Sequence, residues 1–148
     1  MQSKEVEDKF KGISSAYLVN LPTISDDRGT LTAIESGINI PFAIKRCYFL
    51  HDISMPRGGH AHRETSQIIV AVSGDCKVCL SDGTESKVFN LNSPSIGLCF
   101  DPMVWIEIPK FSEDATILVL ANTHYESEKT IRDWHEYLDN VQSIKLNR

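Results

Sequence analysis

The sequence lacks the features that would place the protein in a membrane, outside the cell or on a nucleic acid. It has no run of the roughly eighteen apolar residues that a membrane-spanning helix needs. Residues 1–11 are charged and polar where a signal peptide needs an apolar core. No basic run occurs, and 15 Lys and Arg residues stand against 20 Asp and Glu residues. These absences predict a cytoplasmic protein with neither a membrane nor a nucleic-acid partner.

The cysteines do not show the pattern of a small secreted domain. All four lie in apolar stretches and lack the spacing of a disulfide framework. Cys76 and Cys79 match C-x-x-C, but residues i and i+3 of a strand face opposite sides and cannot grip one metal ion together. We therefore expect reduced thiols that act as small apolar side chains.

Helical periodicity is absent from most of the chain. From Tyr17 to about Asn122, short β-branched or aromatic runs alternate with turn residues, a pattern typical of an all-β sandwich or barrel. The strands that this pattern predicts are Ala16–Leu21, Gly29–Ile34, Ala43–Leu50, His60–His62, Gln67–Ser73, Asp75–Leu80, Lys87–Asn90, Gly97–Phe100, Trp105–Ile108 and Ala115–Ala121.

The hydrophobic period changes near the end of the chain. Within residues 127–138, Ile131, Trp134 and Leu138 recur at three- and four-residue spacing. This spacing predicts a short amphipathic helix, with Ser127 as its N-cap.

The order of elements fits one domain over residues 1–148, which have enough apolar material for one compact core. The expected fold is all-β, a double-stranded β-helix or jelly roll with a short C-terminal helix. Its core is expected at about 17–122 and the helix at about 127–138.

The most informative segment is Arg57-Gly58-Gly59-His60-Ala61-His62. Residues i and i+2 of an extended strand share a face, so both imidazoles can enter one cavity. The segment resembles the first motif of the cupin superfamily, in which two histidines, a Glu and a later His hold a metal ion. Here Gln67 stands in place of the Glu and Trp105 about where the last His belongs, and neither replaces the lost ligand. The sequence therefore predicts no metal, with purely structural histidines as the alternative.

A second alternating segment lies upstream of the histidines. Arg46 and Tyr48 share one face of a predicted strand, opposite Lys45, Cys47 and Phe49. If that face is the barrel interior, a cation and a phenol point into the cavity, where each needs a partner. A solvent-facing edge strand is the alternative.

Further segments share an order and spacing with one known family. They are Asp27-Arg28-Gly29, Pro41-Phe42-Ala43-Ile44-Lys45-Arg46-Cys47-Tyr48, Ser73-Gly74, Asp82-Gly83, Leu91-Asn92-Ser93-Pro94 and Ile131-Arg132-Asp133. With the two histidines, they make the chain from about Tyr17 to Leu138 resemble the sugar 3,4-ketoisomerases, cupins that act on dTDP-4-keto-6-deoxyglucose in deoxysugar biosynthesis. The resemblance implies an isomerase that moves the ketone from carbon 4 to carbon 3 through an enediol or enediolate, without a cofactor.

The resemblance also implies roles for the candidate residues. His62 is the expected base, His60 relays protons or fixes orientation, and Tyr48 is hydrogen-bonded nearby. The expected substrate-binding residues, led by arginines that hold the diphosphate, are Arg28, Arg46, Arg132, Gln67, Trp105 and Arg57. The expected partners are a dTDP-linked keto-deoxysugar and a second copy of the chain in a homodimer.

One departure from the family pattern and three alternative functions stay open. Family members often carry Trp-Arg-Glu where this chain has Trp105-Ile106-Glu107, so one polar group near the pocket is absent. The nearest alternative is a dTDP-sugar 3,5-epimerase, which returns the proton to the carbon that lost it. The others are a non-catalytic sugar-nucleotide-binding cupin and a metal-dependent cupin oxygenase, which the missing metal ligands disfavour.

Overall fold

Two five-stranded antiparallel sheets face each other across the core. The computed structural model describes residues 11–147. In chain order its strands and its α-helix are β1 (Tyr17–Asn20), β2 (Thr23–Asp26), β3 (Gly29–Thr32), β4 (Arg46–Leu50), β5 (Arg57–His62), β6 (Gln67–Ser73), β7 (Cys76–Ser81), β8 (Ser86–Leu91), β9 (Ile96–Phe100), β10 (Trp105–Phe111), β11 (Thr116–Ala121), β12 (Thr130–Ile131) and α1 (Trp134–Leu146). The first sheet has the order β1-β9-β6-β11-β4 and the second the order β12-β5-β10-β7-β8, while β2 and β3 form a separate hairpin.

The main core lies between the two sheets because their inward faces are apolar. Strand β7 shows the alternation of buried and less buried side chains, since Cys76, Val78 and Leu80 are buried while the residues between them are half-buried. The first sheet supplies Ile69, Ala71, Leu98, Phe100, Ile117 and Val119 to this core, and the second supplies Val78, Leu80, Leu91, Ile106 and Ile108. The arrangement confirms the all-β double-stranded β-helix predicted from the sequence.

Strand β6 is buried on both faces and forms the centre of the first sheet. Ile69 and Ala71 face the main core, while Ile68 and Val70 pack in a second apolar cluster on the outer side. A strand of this kind reads as a continuous apolar run. The prediction of Gln67–Ser73 therefore matches the observed bounds.

The C-terminal helix runs from Trp134 to Leu146, so the prediction of residues 127–138 with Ser127 as N-cap is wrong at both ends. Residues 127–129 form a single 3-10 turn, and Thr130–Ile131 pairs with β5. Helix α1 is capped by Asp133, whose side chain accepts a hydrogen bond of 2.9 Å from the backbone N–H of Glu136. Ile131 lies in β12 rather than in the helix, and its buried side chain packs with Ala61 and Tyr137. Within residues 11–147, no helix has the length and apolarity needed to cross a membrane.

The sequence did not predict strands β2 and β12. All four residues of β2 are exposed, and without a buried face there is no apolar alternation to detect. Strand β12 has two residues, too few for any period. The strand predicted to start at Ala43 begins instead at Arg46.

Candidate active site

The two histidines project from β5 into the barrel. Their rings lie 4.9 Å apart between centroids and meet edge to face. Ala61 between them points the other way, is fully buried and packs under α1. Gly58 allows β5 to lie this close to β10, because a Cβ there would be 2.7 Å from the carbonyl oxygen of Ile106. The HxH alternation thus places both imidazoles on the inner face, as predicted.

Burial and neighbouring cations keep both imidazoles neutral. Burial lowers the pKa of His60 below its ordinary value, the Gly58 backbone opposes this fall, and the charges of Arg132 and Arg57 lower the pKa further. The pKa of His62 falls to about 4, first through burial and then through His60, Arg46 and Arg132. At neutral pH each ring therefore holds a lone pair that can accept a proton.

Several polar atoms of the site have no hydrogen-bond partner within the described residues. These atoms are Nε of Arg46, Nδ1 of His60 and Nε2 of His62, and all three are buried. Buried polar groups are normally hydrogen-bonded, so three buried nitrogens without a partner in the same part of the barrel are unusual. A polar ligand bound in the barrel would form hydrogen bonds with these nitrogens. On His62, only Nδ1 has a protein partner, the Thr130 hydroxyl oxygen at 3.3 Å.

Tyr48 on β4 is half-buried and forms a hydrogen-bonded pair with the buried Gln67 on β6 of the same sheet. The Gln67 amide donates to the Tyr48 hydroxyl oxygen at 3.2 Å, and Gln67 is 2% exposed. Burial raises the pKa of Tyr48, while Gln67, Arg46 and Arg57 oppose the rise. The phenol is therefore protonated at neutral pH and available as a proton donor.

Arg46 lies between two tyrosine rings. Its guanidinium carbon is 5.5 Å from the centroid of Tyr48 and 5.3 Å from that of Tyr125. The Tyr125 hydroxyl oxygen accepts a long hydrogen bond, 3.5 Å, from Arg132. Tyr125 thus links two of the predicted arginines. The sequence analysis missed this residue, which lies in a loop without periodicity.

A cavity of about 180 Å³ opens beside these groups. Its lining includes three cationic side chains, of which Lys129 is held by Glu64 at 2.8 Å and Glu126 at 3.0 Å. The lining residues are Lys45, Arg46, His62, Glu64, Thr65, Thr123, His124, Tyr125, Glu126 and Lys129. Lys45 and Arg46 form no ion pair within residues 11–147, and such basic groups beside a proton-accepting imidazole suit an anionic substrate that reacts by proton transfer.

Three of the predicted substrate-binding residues are placed differently. The Arg28 side chain is 90% exposed on the β2–β3 hairpin and pairs with Asp26 at 2.6 Å. Trp105 faces outward and packs against Trp134 and Tyr137 of α1. Arg57 is exposed at the start of β5, although its charge acts on His60. Of these three, the structure brings only Arg57 near the histidines within one chain.

In this chain Ile106 occupies the position of the arginine in the Trp-Arg-Glu pattern, and its side chain faces the barrel interior. Ile106 lies opposite His60 in the pairing of β10 with β5, and it belongs to the main core. The inner wall beside His60 is therefore apolar. This surface strengthens the desolvation that lowers the pKa of His60.

The chain is similar to known proteins over most of its length. Residues 14–142 match the family model described as "FdtA: WxcM-like, C-terminal". A TDP-4-oxo-6-deoxy-alpha-D-glucose-3,4-oxoisomerase of Aneurinibacillus thermoaerophilus is 39% identical over 133 residues, which are 88% of this chain and 96% of the relative.

Solved structures show the same likeness. QdtA, a sugar 3,4-ketoisomerase of Thermoanaerobacterium thermosaccharolyticum solved with TDP, is 36% identical with a TM-score of 0.85, covering 87% of this chain and 96% of that one. A 3,4-ketoisomerase of Helicobacter canadensis is 40% identical with a TM-score of 0.84, covering 86% and 97%. These matches confirm the resemblance predicted from the motifs. The chain therefore belongs to the FdtA family, and with these relatives to the sugar 3,4-ketoisomerases.

Proposed function

We propose that this enzyme converts dTDP-4-keto-6-deoxyglucose into a dTDP-3-keto-6-deoxyhexose. The observation that carries the proposal is the pair of neutral imidazoles of His60 and His62, each of which has a buried nitrogen without a partner in the described residues. His62 also lines a cavity together with Lys45 and Arg46. The substrate is that of the curated relative, and the bound TDP of QdtA supports the nucleotide part.

The proposed reaction is a proton transfer with no external oxidant. Nε2 of His62 takes the proton from carbon 3, and the released electron pair forms a carbon 3–carbon 4 double bond while the carbon 4 oxygen becomes an enediolate. The carbon 4 oxygen then takes a proton and becomes a hydroxyl, while the carbon 3 hydroxyl loses its proton and forms the new carbonyl. The electron pair of the double bond takes a proton at carbon 4. Carbon 3 is oxidised and carbon 4 reduced by the same electron pair.

His60 and Tyr48 carry protons between the two sugar oxygens in this proposal. The His60 ring adjoins that of His62, with 4.9 Å between ring centroids, and its Nδ1 has no protein partner within the described residues. Tyr48 retains its own proton because burial raises its pKa, and that proton is not donated to Gln67, since the tyrosine oxygen accepts there. His60 as a proton acceptor and Tyr48 as a proton donor, both on the inner surface, can together move a proton from one sugar oxygen to the other.

Burial and neighbouring positive charges lower the pKa of His62 to about 4. A diphosphate and a developing enediolate bring negative charge to the same cavity, and negative charge raises the pKa of a nearby imidazole. Arg46 and Arg132, joined through Tyr125, are the proposed diphosphate ligands, because a guanidinium forms paired hydrogen bonds with phosphate oxygens. Substrate binding thus tunes the base toward the pH at which it works.

We also propose a homodimer in which the β2–β3 hairpin packs on the second copy. Ile24 and Leu31 are directly opposed on one face of the hairpin and are 67% and 59% exposed. The other face carries hydroxyl pairs such as Ser25–Thr30. An exposed apolar face on a hairpin outside both main sheets favours a symmetric partner. Docking there carries Arg28 toward the partner's cavity, where it takes its role in substrate binding.

A cytoplasmic location is part of the proposal. All four cysteines are free, including Cys76 and Cys99, which are buried. Free buried thiols suit a reducing compartment. Fractionation of cells that produce the protein tests the location.

Proton NMR of dTDP-4-keto-6-deoxyglucose with the protein in deuterated water tests the function. The expected result is deuterium exchange at carbon 3 followed by a 3-keto product. Exchange at carbons 3 and 5 with a retained 4-ketone identifies a 3,5-epimerase instead. Binding without exchange identifies a non-catalytic module.

A further inference from the structure

Thr130 is the residue of β12 that lies directly opposite His62 of β5. Its hydroxyl oxygen is 3.3 Å from Nδ1 of His62, across 68 positions of sequence. Thr130 is half-buried, and the sequence analysis gave it no role. It contacts the candidate base on the side away from the unpartnered Nε2.

A neutral imidazole carries a proton on one nitrogen and a lone pair on the other. The hydrogen bond made by one nitrogen decides which form is present. Nε2 is buried without a protein partner, so a base at that atom needs its lone pair there and the proton on Nδ1. The Thr130 hydroxyl is placed to accept that proton.

We propose that Thr130 is a positioning residue for the isomerisation, whose hydroxyl oxygen accepts from Nδ1–H of His62 and keeps the Nε2 lone pair directed at the substrate. The proposal rests on the proposed role of His62 as the base. Thr130 itself does not touch the reacting atoms.

The C-terminal helix fixes Thr130 in this place. Ile131, the next residue, is 1% exposed and packs with Ala61 and Tyr137. The Tyr137 hydroxyl donates to the Met103 carbonyl oxygen at 2.7 Å, and the Met103 backbone N–H donates to the carbonyl oxygen of His62 at 2.7 Å. Helix α1 therefore stabilises both partners of the hydrogen bond.

The choice of a hydroxyl also suits the charges around the base. His60 on β5, Arg46 on β4 and Arg132 just after β12 all lower the pKa of His62. A carboxylate at position 130 would oppose them and favour the imidazolium, which cannot accept a proton. A neutral hydroxyl orients the ring without adding charge.

The test compares Thr130→Val, which keeps the shape and removes the hydroxyl, with Thr130→Ser, which keeps the hydroxyl. Histidine nitrogens labelled with ¹⁵N report the tautomer of His62 in the ligand-free protein, and the His62→Asn variant assigns the signals. We expect the proton on Nδ1 in the wild type and in Thr130→Ser, and mixed tautomers in Thr130→Val. The value of kcat should fall about tenfold in Thr130→Val, the effect of one neutral hydrogen bond, with KM unchanged.

A purely structural role for Thr130 would lower thermal stability and leave the tautomer and kcat unchanged, which overturns the proposal. A proton on Nε2 in the wild type also overturns it. So does a changed tautomer with undiminished kcat, provided that His62→Asn is inactive. If His62→Asn is itself active, the proposed base is wrong, and the tautomer signals alone decide whether Thr130 orients the ring. Should Thr130→Val fail to fold, Thr130→Ala provides the same comparison.

Discussion

Nε2 of Gln67 lies 3.2 Å from the hydroxyl oxygen of Tyr48, at the position where a cupin metal site would have its glutamate. An amide N–H donates, so the tyrosine oxygen accepts there and its own proton stays free. A carboxylate in place of Gln67 would take that proton in a hydrogen bond. The neutral amide therefore leaves Tyr48 as a donor toward the barrel interior.

Removing this phenol tests its role as a proton donor. We expect Tyr48→Phe to lower kcat by about 100-fold, the lower end of what a general acid contributes, with little change in KM. Steady-state kinetics give both values. The matched control is Tyr17→Phe, in which the hydroxyl of a 45% exposed tyrosine on β1 is lost. It should leave kcat unchanged.

Replacing the two histidines one at a time distinguishes the proposed base, His62, from the proposed proton relay, His60. His62→Asn should abolish turnover while TDP binding, measured by calorimetry, stays within about 1 kcal/mol of the wild type. His60→Asn should slow the reaction less, because water can replace a relay. The control is His135→Asn on the exposed face of α1. Near-normal turnover in His62→Asn would rule out His62 as the base.

Features of this protein that depend on residues close together in the sequence can be predicted from it, whereas features that depend on contacts between distant residues cannot. Alternation within a few residues predicts that His60 shares a face with His62 and that Arg46 shares a face with Tyr48. For Arg46 and Tyr48, the sequence left open whether that face is the barrel interior or a solvent-facing edge. The all-β fold follows from the same local signals.

Other features depend on contacts that no local pattern shows. The bond between Thr130 and His62 spans 68 positions, and Tyr125 meets Arg46 from a loop. The motif match located the segment that contains Trp105, but side chains alternate along β10, so that Trp105 packs under α1 and Ile106 faces the barrel interior. The alternation along the strand, rather than the motif match, therefore decides which of the two residues faces the histidines.

The depressed pKa of His62 predicts how stability depends on pH. The folded protein resists protonation of this ring down to about pH 4, whereas the unfolded chain takes the proton near 6.5. Between these values the unfolded state binds more protons, so the free energy of unfolding falls as the pH falls. Full protonation costs about 3 kcal/mol at about 1.4 kcal/mol per pKa unit. Urea unfolding from pH 7.5 to 4.5 should show a smaller loss in His62→Asn, and an identical loss in both proteins would contradict the prediction.

The ligand set predicts the response to chelators. Of the four cupin metal ligands, only the two histidines are present, because the others are replaced by an amide and an indole that faces outward. Prolonged treatment with a chelator should leave kcat and KM unchanged, with metal content checked by elemental analysis. Lost activity that added zinc or iron restores would favour a metal-dependent cupin.

In the proposed homodimer, the exposed position of Arg28 predicts that each active site needs both chains. Arg28→Ala should raise KM because the diphosphate loses a ligand, and His62→Asn should be inactive. When the two variants are refolded together, a mixed dimer contains one site with an intact His62 from one chain and an intact Arg28 from the other. Activity at low substrate should therefore exceed the sum of the separate variants. If Arg28 serves its own chain, both sites stay defective and mixing gives no gain.

Leu31→Asp on the apolar face of the hairpin should shift the protein to monomers in analytical ultracentrifugation, whereas Val88→Asp, at an exposed apolar position on the second sheet, should not.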